Sequence, residues 1–155
     1  MFEDFKVNGV YHMSVQIREA TIDDIDSLCS LTKELKGSSI SNEDMNNRLQ
    51  FVKMSPFDFL YVYEEENTIL GLLGFRIREN LEDVTRYGEI SIISVDSTIR
   101  RKGIGQVLMD YAEQLAKEHN CIGTWLVSGM NRKEAHPFYE KLGYEVNGYR
   151  FVKHF

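Results

Sequence analysis

The fold is decided by the stretch Val95-Asp96-Ser97-Thr98-Ile99-Arg100-Arg101-Lys102-Gly103-Ile104-Gly105-Gln106-Val107-Leu108-Met109. It predicts an apolar strand that leads through a basic, glycine-spaced turn into an amphipathic helix. After the turn, apolar side chains recur at helical spacing and polar ones fall on the opposite face. The apolar positions are Ile104, Val107, Leu108, Tyr111, Ala112, Leu115 and Ala116. We therefore expect a helix that begins near Gly103.

The start of this helix suits an anion. Its first amides have no partner within the helix, and the helix dipole places partial positive charge there. Gly103 and Gly105 carry no side chain that would keep a phosphate from the backbone, and the turn adds three full positive charges from Arg100, Arg101 and Lys102. A diphosphate is the natural occupant of such a site.

The glycine spacing excludes two common nucleotide motifs. A P-loop needs four residues between its glycines, followed by Lys and then Ser or Thr, and a dinucleotide fingerprint needs a third glycine where this chain has Leu108. Taken alone, the short motif is also compatible with a basic turn that caps an ordinary surface helix. Other segments of the chain have to decide between these interpretations.

Arg100, Gly103 and Gly105 form an Arg-x-x-Gly-x-Gly motif that resembles that of the GCN5-related N-acetyltransferase (GNAT) superfamily. Further segments agree with that family in the expected order. Residues 17–21 and the apolar helix after them resemble its opening strand and first helix, and residues 135–144 resemble its second coenzyme-contacting segment. The last strand fits as well, so the resemblance covers about residues 14–155.

The resemblance implies a mixed α/β fold in one domain. The GNAT fold is a mostly antiparallel, twisted sheet of six or seven strands flanked by about four helices, and here it would occupy residues 14–155 after an N-terminal extension of residues 1–13. It also implies that acetyl-coenzyme A donates an acetyl group to an amine. Because no cysteine lies near either motif to act as an acyl carrier, we expect direct attack in a ternary complex.

The coenzyme-binding residues follow from the family's motifs, position by position. The resemblance implies contacts at Ile93, Ser94, Val95, Arg100, Arg101, Lys102, Gly103, Ile104, Gly105 and Gln106, and in the second segment at Arg132 and Phe138. Many relatives have an asparagine seven residues before the tyrosine, where it binds the pantetheine arm. That position is Arg132 here, with Asn131 one residue earlier, so Arg132 either approaches the coenzyme's phosphates or lies in solvent.

Tyr139 is the candidate general acid. Acetyl transfer from a thioester to an amine needs a neutral amine, a stabilised oxyanion and a proton for the departing thiolate. Tyr139 occupies the position where many family members carry a phenol that supplies this proton, and the family's oxyanion-contacting backbone would lie near Val95. The alternative for Tyr139 is an aromatic that only packs beside Phe138.

Glu89 is the candidate base. It lies eleven residues before Arg100, the offset of the glutamate base in the histone-acetylating branch of the family. Strand alternation predicts that Glu89 shares one face with Ser91, Ile93 and Val95. The alternative is a solvated glutamate, with ordered water as the base. The segment 124–127 lacks the glutamate base of the ribosomal-protein acetylating branch, which makes that branch a poorer match.

Composition limits the other possibilities. With 155 residues, 43% apolar content and two prolines, the chain suits one compact domain. Its net charge of −6 argues against nucleic acid as the main partner. No apolar run is long enough to span a membrane, and the N-terminus lacks the apolar core of a secretory signal. Cys29 and Cys121 belong to no recognisable motif, and unpaired thiols of this kind are compatible with a reducing cytoplasm. His136 has no second His or Cys at metal-binding spacing, so no metal site is predicted.

A coarse pass along the chain predicts alternating strands and helices. Strands are expected near residues 14–19, 59–64, 69–78, 87–95, 122–127 and 145–154, and helices near 22–36, 42–54 and 104–119, with a last helix ending at Leu142. Glu66-Asn67 is expected to form a hairpin turn and Gly143 a left-handed helix cap. Asn131 and Glu134 resemble a capping box, yet Pro137 would then lie inside the helix. Either the last helix is kinked at Pro137 or its regular part begins there.

The acceptor has no recognisable signature. A small cationic amine is favoured because a local basic loop lies on an acidic chain, whereas a polyamine, an aminoglycoside, an amino acid and a protein amine all remain open. A homodimer is compatible with the sequence. Two other classes of function are kept: a non-catalytic acetyl-coenzyme A sensor or subunit, and a phosphate- or nucleotide-binding protein unrelated to acyl transfer.

Overall fold

A computed structural model of the chain describes residues 14–99 and 102–155. The predictions for residues 1–13, Arg100 and Arg101 lie outside the described residues. The elements in chain order are β1 (Val15–Glu19), a 3₁₀ turn (Ile22–Asp24), α1 (Ile25–Lys36), α2 (Asn42–Met54), β2 (Asp58–Glu65), β3 (Thr68–Glu79), β4 (Arg86–Val95), a 3₁₀ turn (Ser97–Ile99), α3 (Ile104–Glu118), β5 (Thr124–Leu126) and α4 (His136–Lys141). The predicted mixed α/β fold is confirmed.

The sheet of the described residues has the strand order β1-β2-β3-β4-β5. β1 to β4 are antiparallel neighbours, whereas β5 joins β4 in parallel. β2 and β3 are joined by the predicted turn, in which Glu66 and Asn67 have φ values of 48° and 62°. Positive φ at both central residues gives the turn the twist of the flanking strands.

The predicted closing strand at residues 145–154 is wrong for this structure. Residues 144–155 form no strand, helix or turn, so the described part of the chain has five strands rather than six or seven. β-branched and aromatic residues favour a strand in this segment, but a strand also needs a neighbour that pairs with its backbone. The segment finds no such neighbour among the described residues.

The two faces of the sheet carry separate cores. α1 and α2 cover one face, where Leu28, Leu31, Met45 and Leu49 pack against Val62 and Leu72. α3 and α4 cover the other face, and the larger cluster there includes Leu73, Phe75, Ile77, Ile90, Ile104, Leu108, Met109, Ala112, Leu115 and Tyr139. The helical periodicity predicted for α3 is confirmed for most of its apolar positions, which face the sheet, whereas Val107 is 42% exposed.

Glycine and proline set the ends of two helices. Gly143 has φ +91° directly after the C-cap of α4, so the predicted left-handed cap is confirmed. α4 begins at His136 with Pro137 in its first turn, where a missing N–H removes no helical hydrogen bond. The structure thus selects the second of the two alternatives for Pro137. The capping box at Asn131 is wrong, because turns occupy residues 133–135 before the helix.

None of the described helices has the length and the apolar character that crossing a membrane requires.

Candidate active site

β4 and β5 part after only three residue pairs. Gly88, Glu89 and Ile90 pair with Thr124, Trp125 and Leu126, and beyond this point the two strands diverge. The gap opens into a cleft of about 70 Å³. Its lining consists of Leu35, Ile90, Ser91, Ile92, Ile93, Leu126, Val127, Arg132 and Tyr139. The cleft therefore brings together the edge of β4, which the resemblance linked to the thioester, and the candidate acid on α4.

A β-bulge in β4 shapes this edge. Phe75 faces Ile90 and Gly74 faces Ile92, so Ser91 is an extra residue in the ladder. A side chain at Gly74 would not fit beside the bulge, since its Cβ would lie 2.5 Å from the Ser91 Oγ. The bulge turns Ser91 outward at the point where β4 begins to line the cleft.

The bulge also overturns one prediction. Ile90 and Ile93 both pack in the core under α3, although they are three residues apart. Glu89 consequently lies on the opposite face from Ile93 and Val95, not on the same one. Strand alternation assumes an unbroken ladder, and one inserted residue reverses every side chain that follows.

The N-terminus of α3 lies beside α4. Gly103 is the N-cap with φ +82°, and as a glycine it has no side chain that could cap the helix. A Cβ on Gly105 would meet the Phe138 ring at 3.5 Å, so the first turn of α3 packs against the aromatic ring from α4. Lys102 is exposed at the same end. The structure thus brings the predicted anion-binding helix start next to the segment that carries Tyr139.

Tyr139 is held firmly with its ring beside the cleft. Only 9% of its surface is exposed, and its ring lies 5.3 Å from Phe138 and 6.2 Å from Tyr144, both in edge-to-face contact. The Tyr144 hydroxyl is hydrogen-bonded to the Thr124 Oγ1 at 2.7 Å, which ties this aromatic cluster to β5. Burial raises the pKa of Tyr139, and the positive charge of Arg132 opposes that shift.

Glu89 lies one residue before the cleft. Its Oε2 accepts a hydrogen bond from the Arg78 Nε at 2.6 Å, and the Arg78 guanidinium lies 5.8 Å from the centre of the Trp125 ring. Arg78 and Trp125 were not singled out from the sequence. Their contact with Glu89 depends on which residues face one another across β3, β4 and β5, and no local sequence pattern reveals that register.

The other predicted coenzyme contacts are placed as follows. Ser94 is buried and its Oγ donates to the Leu31 carbonyl at 3.0 Å, so its side chain anchors α1 instead of facing the cleft. Ile104 is buried in the core, and the Gln106 side chain is hydrogen-bonded to Asp110 at 3.2 Å. Only the backbone of Ser94 and Ile104 remains available to a ligand.

Ser128 is a further polar group at the site that the sequence did not single out. Its Oγ is buried and has no hydrogen-bond partner in residues 14–99 and 102–155. It directly follows Val127, which lines the cleft. Nearby, the His136 ring Nε2 is hydrogen-bonded to the Gly129 carbonyl at 3.0 Å, which places this histidine in a structural contact.

Three features define the site: β4 and β5 part, α3 begins at a glycine, and a buried tyrosine lies beside the cleft. Comparisons with known proteins identify the class of protein that has them. The family model described as the acetyltransferase (GNAT) family matches residues 25–144, more than half of the chain. The chain therefore belongs to the GNAT acetyltransferase family, as its motifs predicted.

Individual relatives extend over nearly the whole chain. An aminoalkylphosphonate N-acetyltransferase from Salmonella typhimurium is 25% identical over 138 residues, which is 89% of this chain and 90% of that protein. The structure of a GNAT family acetyltransferase from Staphylococcus aureus is 28% identical with a TM-score of 0.78, and the match covers 92% of this chain and 100% of that one. A transcriptional regulator from Bacillus halodurans is 25% identical with a TM-score of 0.84 over the same shares of the two chains.

Proposed function

We propose that this protein transfers an acetyl group from acetyl-coenzyme A to the primary amine of a small acceptor, by direct attack in a ternary complex. One observation carries the proposal. The cleft between β4 and β5 joins the bulged edge of β4 to Tyr139, and the uncapped start of α3 lies beside it through the contact of Phe138 with Gly105. This arrangement combines an anion site with a proton donor.

The start of α3 fits the diphosphate of coenzyme A. The first-turn amides have no partner within the helix, and the N-cap Gly103 and the adjacent Gly105 leave the backbone accessible. Lys102 adds charge at the same end, with Arg100 and Arg101 predicted beside it. Acetyl-coenzyme A, when bound, supplies the acetyl thioester.

Tyr139 is suited to the role of general acid. As the new C–N bond forms, the C–S bond breaks and the sulfur leaves as a thiolate whose conjugate thiol has a pKa of about 8.5. The ordinary tyrosine pKa of about 10 already keeps a phenol protonated at neutral pH, and burial raises the pKa of Tyr139 further, so a proton is available there for this thiolate. The edge of β4 from Ser91 to Ile93 faces the cleft, where backbone N–H groups polarise the thioester carbonyl.

Glu89 is our candidate for the base. The attacking amine must lose a proton, and an amine like that of lysine, with a pKa of about 10.4, is mostly protonated at neutral pH. We expect Glu89→Gln to lower kcat/KM about 100-fold. Arg78→Gln is the matched control, because it removes the other member of the ion pair. Equal losses in both variants would show that the pair is structural and leave ordered water as the base.

The acceptor is proposed to be a small amine. The negative net charge favours a cation, and the relative from Salmonella typhimurium is named for an aminoalkylphosphonate acceptor. Because that relative's acceptor carries a phosphonate, an amine that also carries an acidic group belongs in the test. We would test polyamines, aminoglycosides, amino acids and aminoalkylphosphonates as acceptors and measure the coenzyme A thiol that each one releases. The acceptors that give turnover would identify the substrate class.

Thermal unfolding with acetyl-coenzyme A, coenzyme A and ATP in parallel tests the proposal. A ligand at 100 times its dissociation constant adds about 2.7 kcal/mol to the free energy of unfolding. We expect both coenzyme forms to raise the melting temperature and ATP to have no comparable effect. Equal stabilisation by ATP would indicate a general phosphate site, and no shift with any of the three would overturn the coenzyme site.

A further inference from the structure

The Arg78 guanidinium contacts both a carboxylate and an aromatic ring beside the cleft. Its Nε donates to the Glu89 Oε2 at 2.6 Å, and its central carbon lies 5.8 Å from the centre of the Trp125 ring. Glu89 and Trp125 are register partners in β4 and β5, and the next residues, Ile90 and Leu126, line the cleft. A carboxylate beside an aromatic face attracts an organic cation, because both present negative potential. Arg78 is such a cation.

Arg78 is the outermost of these three groups. Its side chain is 43% exposed, whereas the Glu89 side chain is 16% exposed and Trp125 is half-buried. Exposed ion pairs contribute little to stability, and a long side chain regains rotamer freedom when it is released. Arg78 can therefore leave Glu89 at small cost, and its departure would uncover the carboxylate and the ring.

The neighbouring Arg76 is arranged differently. It is the direct register partner of Glu89 across β3 and β4, yet it forms an ion pair with Asp58 on β2, where the Arg76 Nε lies 3.5 Å from the Asp58 Oδ1. Arg78 lies two residues farther along β3 and reaches Glu89 diagonally. Of the two arginines on this face, Arg78 is the one that contacts both Glu89 and the aromatic ring.

We propose that Arg78 occupies a cation site formed by Glu89 and Trp125, and that an ammonium or guanidinium group of the acceptor takes its place. The acceptor's identity as this cation rests on the proposed acetyl transfer, whereas the exchange of cations does not. A site that is open for about a tenth of the time binds its ligand about 10-fold more weakly than a fully open one. Arg78 therefore sets the affinity for the acceptor and favours acceptors that carry positive charge.

The fluorescence of Trp125 provides the first test, because Trp125 is the single tryptophan of the chain. We would titrate methylguanidinium, which carries the same charged group as Arg78, and the neutral methylurea, which has nearly the same shape. We expect methylguanidinium to bind Arg78→Ala with a dissociation constant about 10-fold lower than that of the wild type. Methylurea should bind neither protein, because it lacks the charge.

Two matched variants separate this site from the general charge of the surface. Arg76→Ala removes a half-exposed arginine from the same strand and face, and Arg78→Lys keeps a cation at the position, so both should retain the wild-type affinity. Circular dichroism checks that each variant is folded, and Arg78→Gln replaces Arg78→Ala if the latter is not.

Three results of the titration would each overturn the proposal. They are equal affinity in the wild type and Arg78→Ala, an equal gain in Arg76→Ala, and binding that persists when Glu89→Gln is added to Arg78→Ala. Because the titration needs no turnover, its outcome is independent of the proposed acetyl transfer.

Kinetics then test whether the exchanged cation is the acceptor. With a cationic acceptor that gives turnover, we expect Arg78→Ala to lower KM by about 10-fold and to leave kcat within about 2-fold of the wild type. If Arg78 only holds Glu89 in place, the same substitution will lower kcat or raise KM. An unchanged or raised KM would overturn the acceptor's place at Glu89, even where the titration supports the cation site.

Discussion

The sheet has two very different halves. Between β3 and β4 the antiparallel ladder runs without interruption by another element from Gly71 and Val95 to Glu79 and Arg86, with a single bulge. Between β4 and β5 only three residue pairs form, and the strands then separate around a cleft. β2 and β3 supply most of the fully buried apolar strand side chains, whereas β4 supplies Ile90 and β5 supplies none. Complete pairing stabilises the fold, and the place where pairing stops is where a ligand can bind.

Close packing in the paired half is visible at its glycines. A Cβ on Gly88 would lie 2.5 Å from the Phe75 ring and 3.2 Å from Ala116. Gly88 therefore makes room for the largest fully buried side chain of the core. At the start of α3 the glycines behave differently, because a Cβ on Gly103 would meet nothing within 4 Å. Gly88 thus leaves space for a neighbouring side chain in the core, whereas Gly103 leaves the backbone accessible at the start of α3.

Phe75→Ala tests the paired half and should have the largest effect. It removes a fully buried ring, so we expect the free energy of unfolding to fall by about 3–5 kcal/mol in equilibrium urea denaturation. Leu81→Ala, at an exposed position, should change it by less than about 0.5 kcal/mol. A loss for Phe75→Ala no larger than that of Leu81→Ala would contradict the assignment of the core.

Tyr139→Phe tests the open half. We expect a fall in kcat of about 100-fold, equivalent to roughly 2.7 kcal/mol, with little change in unfolding or in coenzyme affinity. The raised pKa of Tyr139 keeps the acid protonated, so its contribution is lost only as pH rises above the usual tyrosine value of about 10. Steady-state kinetics at several pH values measure kcat, and titration with coenzyme A measures the affinity. If the protein is a non-catalytic sensor, both the wild type and Tyr139→Phe will bind the coenzyme and neither will show turnover.

Asp24→Asn should destabilise the paired half in a pH-dependent way. Arg18 donates two hydrogen bonds to the Asp24 carboxylate at 2.8 and 2.9 Å, and this interaction lowers the pKa of Asp24. A depressed pKa contributes stability above the unfolded value of about 3.9 and loses it as pH falls through the folded value. We expect a cost of about 1–2 kcal/mol at pH 7 that shrinks toward pH 2.5. Urea denaturation at pH 7 and at pH 2.5 measures the difference, with the exposed Asp23→Asn as the control. If Asp24→Asn lowers the free energy of unfolding equally at both pH values, the charge of Asp24 is not the source of the loss.

Two glycine variants at the start of α3 should have the smallest effects. Gly103→Ala places a side chain at φ +82° and should lower stability by about 1 kcal/mol. Gly105→Ala lies inside the helix with ordinary contact to Phe138, so it should preserve stability or raise it by up to about 1 kcal/mol, yet weaken coenzyme binding. Thermal unfolding with and without coenzyme A separates the two. Unchanged affinity in Gly105→Ala would place the coenzyme elsewhere.

Most of the fold was predictable from local patterns. The bounds of α2 and the turn at Glu66-Asn67 match their predictions, because helix periodicity, caps and turn residues are short-range signals. The candidate acid could be found in the same way, since Tyr139 belongs to a contiguous family motif. The pairing of Glu89 with Arg78 could not, because it depends on strand register and on the bulge at Ser91.

The sequence was enough to identify the family and the order of the elements up to α4, because both rest on residues close together in the chain. It also predicts an anion site at the start of α3. Tertiary packing sets the face on which Glu89 lies and the point where β4 and β5 part. It also leaves residues 145–155 without a partner strand among the described residues. Strand pairing joins residues that are far apart in the sequence. Its register, and whether a partner exists at all, is settled by packing across the whole sheet.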